Sequence, residues 1–319
     1  MTIIADGYGS KFRKLHVDEV KPAKSKFHGL ELIDTTLPRP YHGHVILGDF
    51  PPVLLYQIGT HETRILVDIP TNCPTALSAV GGVKGHMRNV VLPILPKSIK
   101  PSFERALDEG QTIYSMPNSW LPPKTNRIPG ILFVGDALNM RHPLTGGGMT
   151  VAFNDAVLLA DLLSPANVPN LDDTKVVLKQ LKSFHWQRKD ITSVINILAQ
   201  ALYSLFAANG MFAFNFWPLF YSLNKHIDAN LRALQRGCFG YFQLGGNCVD
   251  GPCGLLAGII RNPLVLVSHF FSVALYAIWI DACAYPYVLL PFTLLWRGVS
   301  LLWTAIVVIV PYIWAELRS

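Results

Sequence analysis

Two glycine-bearing elements hold the side chains best suited to grip a polar, anionic ligand. The first is Ala5-Asp6-Gly7-Tyr8-Gly9-Ser10-Lys11-Phe12-Arg13, entered from an apolar strand at Thr2–Ala5. The second is Val134-Gly135-Asp136-Ala137-Leu138-Asn139-Met140-Arg141-His142-Pro143-Leu144-Thr145-Gly146-Gly147-Gly148-Met149-Thr150, which leaves a buried strand at Ile131–Val134. A glycine at a strand end lets backbone approach a ligand closely. The carboxylate after it accepts hydrogen bonds from sugar-like hydroxyls. Three glycines then open a helix, whose free N–H groups and positive dipole end form an anion site.

A reduced flavin presents both partners, with hydroxyls on its ribityl chain and negative charge on its N1–C2=O edge. The competing reading is a tight strand–turn–helix whose glycines serve packing alone. A phosphate-binding P-loop is excluded, because no Gly-Lys-Ser/Thr follows. Gly7-x-Gly9 imitates a dinucleotide fingerprint, but Phe12 stands where the third glycine belongs. The rest of the chain offers no Ser-His-Asp set, no His-Glu-x-x-His and no persuasive pair of acids. Glu62 beside His61 reads as a turn residue. The five cysteines form no Cys-x-x-Cys pair and read as buried or idle thiols, with no metal site.

The elements that must position these loops are mixed, so the fold class is α/β (α+β). Val45–Leu47, Val53–Ile58 and Arg64–Asp68 predict an antiparallel meander turned by Pro51-Pro52 and Gly59–Glu62. Pro101–Glu109 predicts a short helix, and Pro117, Pro122, Pro123 and Pro129 an extended connection. Thr150–Leu163 predicts a helix with Phe153, Val157, Ala160 and Leu163 on its apolar face. Helices follow from about Asp172 to Arg236.

Half of the 319 residues are hydrophobic and 15% are charged, with a net formal charge of +6. The mean hydropathy of +0.32 is high, and intrinsic disorder needs the opposite composition. From Pro263 to Ala315 the only formal charges are Asp281 and Arg297. Pro263–Ile280 and Gly298–Ala315 each approach the ~20 residues that cross a hydrocarbon core. Trp279, Trp296, Trp303 and Trp314 suit an interfacial belt, with Arg297 and Glu316–Arg318 snorkelling to headgroups. A hairpin of membrane-embedded helices is expected. Lys11, Arg13, Lys14, Lys21, Lys24 and Lys26 read as a solvated basic face, with attraction to anionic headgroups as the next reading and no nucleic acid. Because Met1–Ala5 opens in mid-strand, the chain reads as the C-terminal part of something longer.

Taken together, the Asp-Gly element and the Gly-Asp element with its P-x-x-G-G-G-M loop resemble class A flavoprotein monooxygenases. The segments NMRHPLTGGGMTVAFNDAVLL, PVLLYQIGTHETRILVDIP, SMPNSWLPP, INILAQALYSLF, CFGYFQLGGNCVDGP and NPLVLVSHFF narrow this. They resemble the squalene monooxygenase (squalene epoxidase) family. That resemblance implies residues 1–20 as a remnant of the FAD-binding domain, 21–110 as a substrate-domain sheet and 111–165 as the FAD-binding return segment. Residues 166–262 would form the helical channel region and 263–319 the membrane-associated helices. Its cofactor is FAD, with Asp136 at the ribityl or diphosphate region. Pro143, Gly146, Gly148 and Met149 would lie along the isoalloxazine, and Asp6 would support the site from behind.

The implied substrate channel takes in Tyr56, Leu144, Phe206, Phe239, Phe242, Pro252, Leu255 and His269. Read from spacing alone, Phe239 and Phe242 are equally good as core packing, and His269 as a satisfied buried imidazole. The family epoxidises squalene to (3S)-2,3-oxidosqualene with O2 in sterol biosynthesis, taking electrons from NADPH-cytochrome P450 reductase. It works at the endoplasmic reticulum membrane and on lipid droplets. An alkene that attacks a C4a-hydroperoxyflavin needs no nucleophile or metal from the protein. The family's GxGxxG segment is absent, and Asn209–Asn224 reads as an extra apolar segment beside the channel. A flavin enzyme for another isoprenoid or aromatic substrate, or an inactive membrane-bound chain with only a binding role, are the alternatives.

Overall fold

The computed structural model describes residues 1–15, 23–47, 50–206, 221–283 and 290–318, with the side chains of 221–228 and 290–294 left out. Of the phenylalanine-rich segment at Asn209–Asn224, residues 209–220 therefore lie outside what is described, as does Lys21, and 221–224 are described only as helical backbone. The chain divides into two compact units, residues 22–119 and residues 1–21 with 120–319.

The 22–119 unit is a five-stranded antiparallel sheet in the order β3-β4-β5-β2-β6. Its strands are β2 (Ser25–Ile33), β3 (His44–Ile46), β4 (Val53–Gln57), β5 (Glu62–Pro70) and β6 (Tyr114–Pro117). The expected meander is β3-β4-β5. It is extended at β5 by β2, which pairs with β5 from Ser25↔Pro70 to Ile33↔Glu62. Helical cover comes from α1 (Gly82–His86), a π-helical turn at Met87–Val91, α2 (Leu92–Ile94) and α3 (Lys100–Asp108). Leu30, Leu32, Val53, Leu55, Ile65, Val67 and Ile69 alternate along three strands and meet Met87, Ile99, Phe103 and Leu107 in one core. In α3 the buried residues Ser102, Phe103, Ala106 and Leu107 fall at helical spacing, so one stripe faces the sheet.

The other unit begins with β1 (Thr2–Ile4), which pairs in parallel with β7 (Ile131–Phe133). Seven α-helices follow among the described residues: α4 (Gly148–Leu162), α5 (Thr174–Gln187), α6 (Lys189–Phe206), α7 (Tyr221–Gln243), α8 (Asn247–Leu256), α9 (Pro263–Cys283) and α10 (Leu290–Leu317). Ile4, Leu132, Phe133 and Leu138 pack against Leu159, Leu162, Val177, Leu181 and Phe184 of α4 and α5. Val194, Ile197 and Leu198 of α6 pack against Leu255, Leu266 and Ile309. Helices α7 and α9 approach closely through Gly237, where an added Cβ would overlap the Ala277 backbone. Small residues at such a crossing let two apolar helices gain van der Waals contact.

Three expectations are corrected. Helix α4 forms, but Phe153, Val157 and Ala160 face outward, with Phe153 and Val157 68% and 73% exposed, and Leu163 is half-buried. The inward stripe is Val151, Asp155, Leu159 and Leu162. This helix is apolar nearly all round, so hydropathy does not orient it; the charge of Asp155 does, through its partner Arg188 at the junction between α5 and α6. Arg297 does not snorkel: it donates to Asp281 across the α9–α10 pair, Nε to Oδ2 at 2.5 Å. In a region without water, an ion pair is cheaper than a lone cation. Glu316 does not snorkel either; it is buried at 6% exposure.

Helix α9 and the Leu295–Leu317 part of α10 are long and apolar enough to cross a membrane. Most of each stretch is not buried by protein, and Trp279, Trp296, Trp303 and Trp314 are exposed. The whole chain should therefore float with liposomes in a density gradient, and removal of Pro263–Ser319 should abolish flotation. Flotation, unlike pelleting, separates membrane binding from aggregation; a truncated form that still floats would refute the anchor.

Candidate functional site

The parallel strands β1 and β7 bring the two glycine elements side by side. Thr2 N–H donates to the Gly130 carbonyl at 2.7 Å and Val134 N–H to the Ile4 carbonyl at 3.0 Å, fixing the register. Asp6-Gly7 and Gly135-Asp136 thus emerge together at the carboxyl ends of adjacent parallel strands, the usual ligand end of such a pair. Gly135 at φ +57° and Gly146 at φ +65° adopt left-handed conformations that a side chain would strain.

Arg13 locks the two elements together. Its Nη2 donates to the Gly7 carbonyl at 2.9 Å and the Asp136 carbonyl at 3.1 Å, and its Nε to the Ala137 carbonyl at 3.4 Å. It is 7% exposed, so it does not belong to a solvated basic face. Burial pushes its guanidinium below the usual arginine range, opposed by the nearby Asp6 and Asp136 charges. Asp6 accepts from Lys11 N–H at 3.0 Å and shapes its own turn.

The Asp136 carboxylate belongs to an exposed residue, as are Gly146 and Met149, while Pro143 and Gly148 are half-buried. Helix α4 starts at Gly148 with Gly147 as its N-cap and no side-chain cap, so its first amides are left for a ligand or water. Gly147 sits against the Ile195 side chain of α6. An exposed carboxylate, an exposed glycine turn and an uncapped helix N-terminus fit a group that carries hydroxyls and delocalised negative charge.

Behind this face lies a buried polar group that reading the sequence missed. Asp155 and Arg188, 2% and 1% exposed, form a two-point ion pair with Nε–Oδ1 at 2.9 Å and Nη2–Oδ2 at 2.6 Å. Arg141 donates to Asn139 Oδ1 at 2.8 Å, and more loosely to the Gly147 and Gly148 carbonyls. Burial first, then Arg188, pushes Arg141 down to about 10, so it is still protonated at neutral pH. No short-range pattern marks these residues; only an Asp in the middle of an apolar helix could have drawn attention to them.

His142 accepts from Leu144 N–H through Nδ1 at 3.1 Å, which places its proton on Nε2, and it stacks on Tyr203 at 3.6 Å. Burial pushes His142 down to about 3. His185 is pushed down to about 4 by burial, then by Lys189 and Arg188. Both lie below the ordinary value near 6.5, so the unfolded chain binds protons first as the pH falls. Their contribution is complete above about pH 6.5 and is lost progressively towards pH 3–4. The urea midpoint in detergent should fall between pH 7 and pH 5, at up to about 1.4 kcal/mol per pH unit for each histidine. A flat profile would contradict both burials.

The eight channel positions fall on several elements, Tyr56 in the 22–119 unit and the other seven in the other unit. Tyr56 lies on β4 in the sheet unit. Leu144 is buried in the Pro143–Thr145 turn, Phe206 at the end of α6, and Leu255 in the α6–α8 cluster. Around α7, α8 and α9, Tyr241 OH meets His269 Nδ1 at 2.9 Å, and Gly251, next to buried Pro252, lies against the His269 ring. Phe242 is half-buried beside Tyr241, and Phe239 is 57% exposed.

Among solved structures, PqsL of Pseudomonas aeruginosa in complex with 2-aminobenzoylacetate is similar at TM-score 0.52 and 22% identity, over 64% of this chain and 55% of that one. HpxO of Klebsiella pneumoniae complexed with FAD and uric acid is similar at TM-score 0.52 and 17% identity, over 80% of this chain and 59% of that one. These likenesses establish the mixed α/β fold alone. The squalene epoxidase of Aspergillus fumigatus is 60% identical over 99% of this chain and 61% of its own length. That of Saccharomyces cerevisiae is 44% identical over 99% and 59%, and the squalene monooxygenase of Mus musculus 40% over 100% and 51%. This chain thus spans about half to three fifths of the length of these curated relatives. A family model described as squalene epoxidase matches residues 1–295, and the chain belongs to that family.

Proposed function

We propose that this chain carries the flavin-facing return segment, the substrate channel and the membrane anchor of an FAD-dependent squalene monooxygenase. The observation that carries this reading is the pairing of Asp6-Gly7 with Gly135-Asp136 at the carboxyl ends of β1 and β7, beside the uncapped start of α4. The strands would be part of a Rossmann-like FAD domain, and Asp136 would hold the ribityl or diphosphate region. Pro143, Gly146, Gly148 and Met149 would hold the ring system, with Asp6 supporting the turn behind it. FAD, once reduced, supplies the electrons that activate O2.

What remains for the protein is to bind, orient and exclude water. The trisubstituted alkene of squalene is itself the electron-rich partner, so no general base is required of the chain. Tyr56, Leu144, Phe206, Phe239, Phe242, Pro252, Leu255 and His269 would line the path of the hydrocarbon, which costs nothing to desolvate. The amides at the start of α4 would stabilise negative charge on the ring system without reorganising. Electrons would come from NADPH through cytochrome P450 reductase, at the endoplasmic reticulum membrane or on lipid droplets. The apolar surfaces of α9 and α10 support delivery of a membrane-dissolved substrate.

The test is a visible flavin spectrum of Met1–Ser319 in mild detergent with added FAD, followed by turnover of squalene with NADPH and the reductase. Bound flavin and 2,3-oxidosqualene support the reading. Bound flavin with turnover of another isoprenoid, but not squalene, overturns the substrate; no bound flavin leaves this chain a membrane-binding piece that needs its partner domain.

A further inference from the structure

We propose that Glu316, in the last turn of α10, is a positioning residue for the loop that faces the cofactor, an inference that rests on the flavin reading above. Its Oε1 accepts from Asn196 Nδ2 of α6 at 2.8 Å, and its Oε2 from Ser193 Oγ at 3.3 Å. The same Asn196 nitrogen donates to Asn139 Oδ1 at 3.1 Å. Asn139 Oδ1 also accepts from Arg141 Nη2 at 2.8 Å, and Asn139 Nδ2 donates to the Leu121 carbonyl at 2.7 Å. Arg141 Nη1 then reaches the Gly147 and Gly148 carbonyls at 3.5 and 3.4 Å. Four buried side chains therefore run from the end of the apolar hairpin to the first residues of α4, whose amides face the ligand.

Charge explains why the run ends in a carboxylate. Arg141 and Arg188 bring two buried guanidinium groups to Asn139. Asp155 pairs with Arg188, and Glu316 adds negative charge at the far side of the two asparagines, beside that of Asp136 and Asp155. Docking the helix end does not require that carboxylate. Lys189 Nζ already ties the end of α10 through the main-chain carbonyls of Glu316 at 2.5 Å and Arg318 at 3.2 Å. The side chain is spent on Asn196 and, through it, on the loop. Removing it leaves Asn196 short of an acceptor and takes a nearby negative charge from the guanidinium groups, in a low-dielectric interior where hydrogen-bonded networks respond as a unit.

Hydrogen–deuterium exchange on the whole chain in nanodiscs tests this with or without FAD. In Glu316→Ala, amides of residues 146–150 should exchange about tenfold faster, as expected for loss of a buried hydrogen bond to a charged group. Strands β2 and β5 should be unchanged. Glu316→Gln keeps an oxygen for Asn196 but not the charge, and should restore only part of the protection. Lys189→Met should loosen residues 314–318 and leave 146–150 as they were. Loop exchange unmoved by Glu316→Ala, or moved equally by Lys189→Met, would overturn the proposal and leave Glu316 a helix anchor. A second readout is FAD titration, where Glu316→Ala should weaken binding about tenfold and shift the bound flavin's visible spectrum. Wild-type chain that takes up no FAD overturns cofactor binding by this chain alone, and the exchange comparison then decides the loop coupling by itself.

Discussion

Replacing Arg188 with methionine should lower the thermal midpoint of the detergent-solubilised protein by about 10 °C or more. The substitution keeps most of the side-chain length and removes the partner of Asp155, leaving a carboxylate that is 2% exposed. Breaking a buried ion pair from one side costs about 3–5 kcal/mol, because the remaining charge has neither water nor counterion. For a unit of this size each kcal/mol shifts the midpoint by roughly 2–4 °C. Arg188→Met with Asp155→Leu should recover most of that loss, since an apolar pair of similar volume is often neutral. The double variant still lacks the Arg188 bond to Asn139, so its flavin affinity should recover less than its stability. A single variant melting within 2 °C of wild type would show that this pair does not hold α4 against the junction between α5 and α6.

The contrast between Arg188 and Asp136 shows what a sequence carries and what it does not. The Gly135-Asp136 turn was legible because strand, glycine and acid are consecutive, and every determinant of the turn is local. The meander β3-β4-β5 was legible because Val53, Leu55, Ile65, Val67 and Ile69 alternate with a period of two. Strand β2 carries no such alternation: Ser25, Phe27 and Gly29 are buried on one face, and Leu30 and Leu32 on the other. A strand covered on both faces loses its period.

Arg13, Arg188 and Glu316 belong to a third class. Each is a charged residue that local context assigns to water, yet its partners lie 123, 33 and 120 positions away. Helix α4 failed for the same reason from the opposite side. Its exposed Phe153 and Val157 are as apolar as its buried Val151 and Leu159, so the burial of Asp155, decided by a residue on another element, sets the rotation. Reading a sequence locates the loops that touch a ligand; the charges that hold them are found only once the chain has closed.

Asp136→Ala should weaken FAD binding by about 10- to 100-fold, the loss of roughly 1–3 kcal/mol from one polar contact to the cofactor, while leaving the melting temperature nearly unchanged. The structure supplies the reason for that separation. Asp136 contributes to the fold through its main chain, whose carbonyl accepts from Arg13, and that bond survives removal of the carboxylate. The carboxylate itself belongs to an exposed residue and appears in none of the side-chain hydrogen bonds that tie the turn to β1. Surface substitutions of this kind stay within about 0.5 kcal/mol of wild type. Arg13→Ala should behave differently, lowering flavin affinity and melting temperature together, because three carbonyls of the two elements lose their shared donor. FAD titration and thermal melts of the two variants, side by side, make the comparison. Unchanged FAD affinity in Asp136→Ala would remove this carboxylate from the cofactor site. A parallel fall in melting temperature would mean that its side chain serves the turn instead.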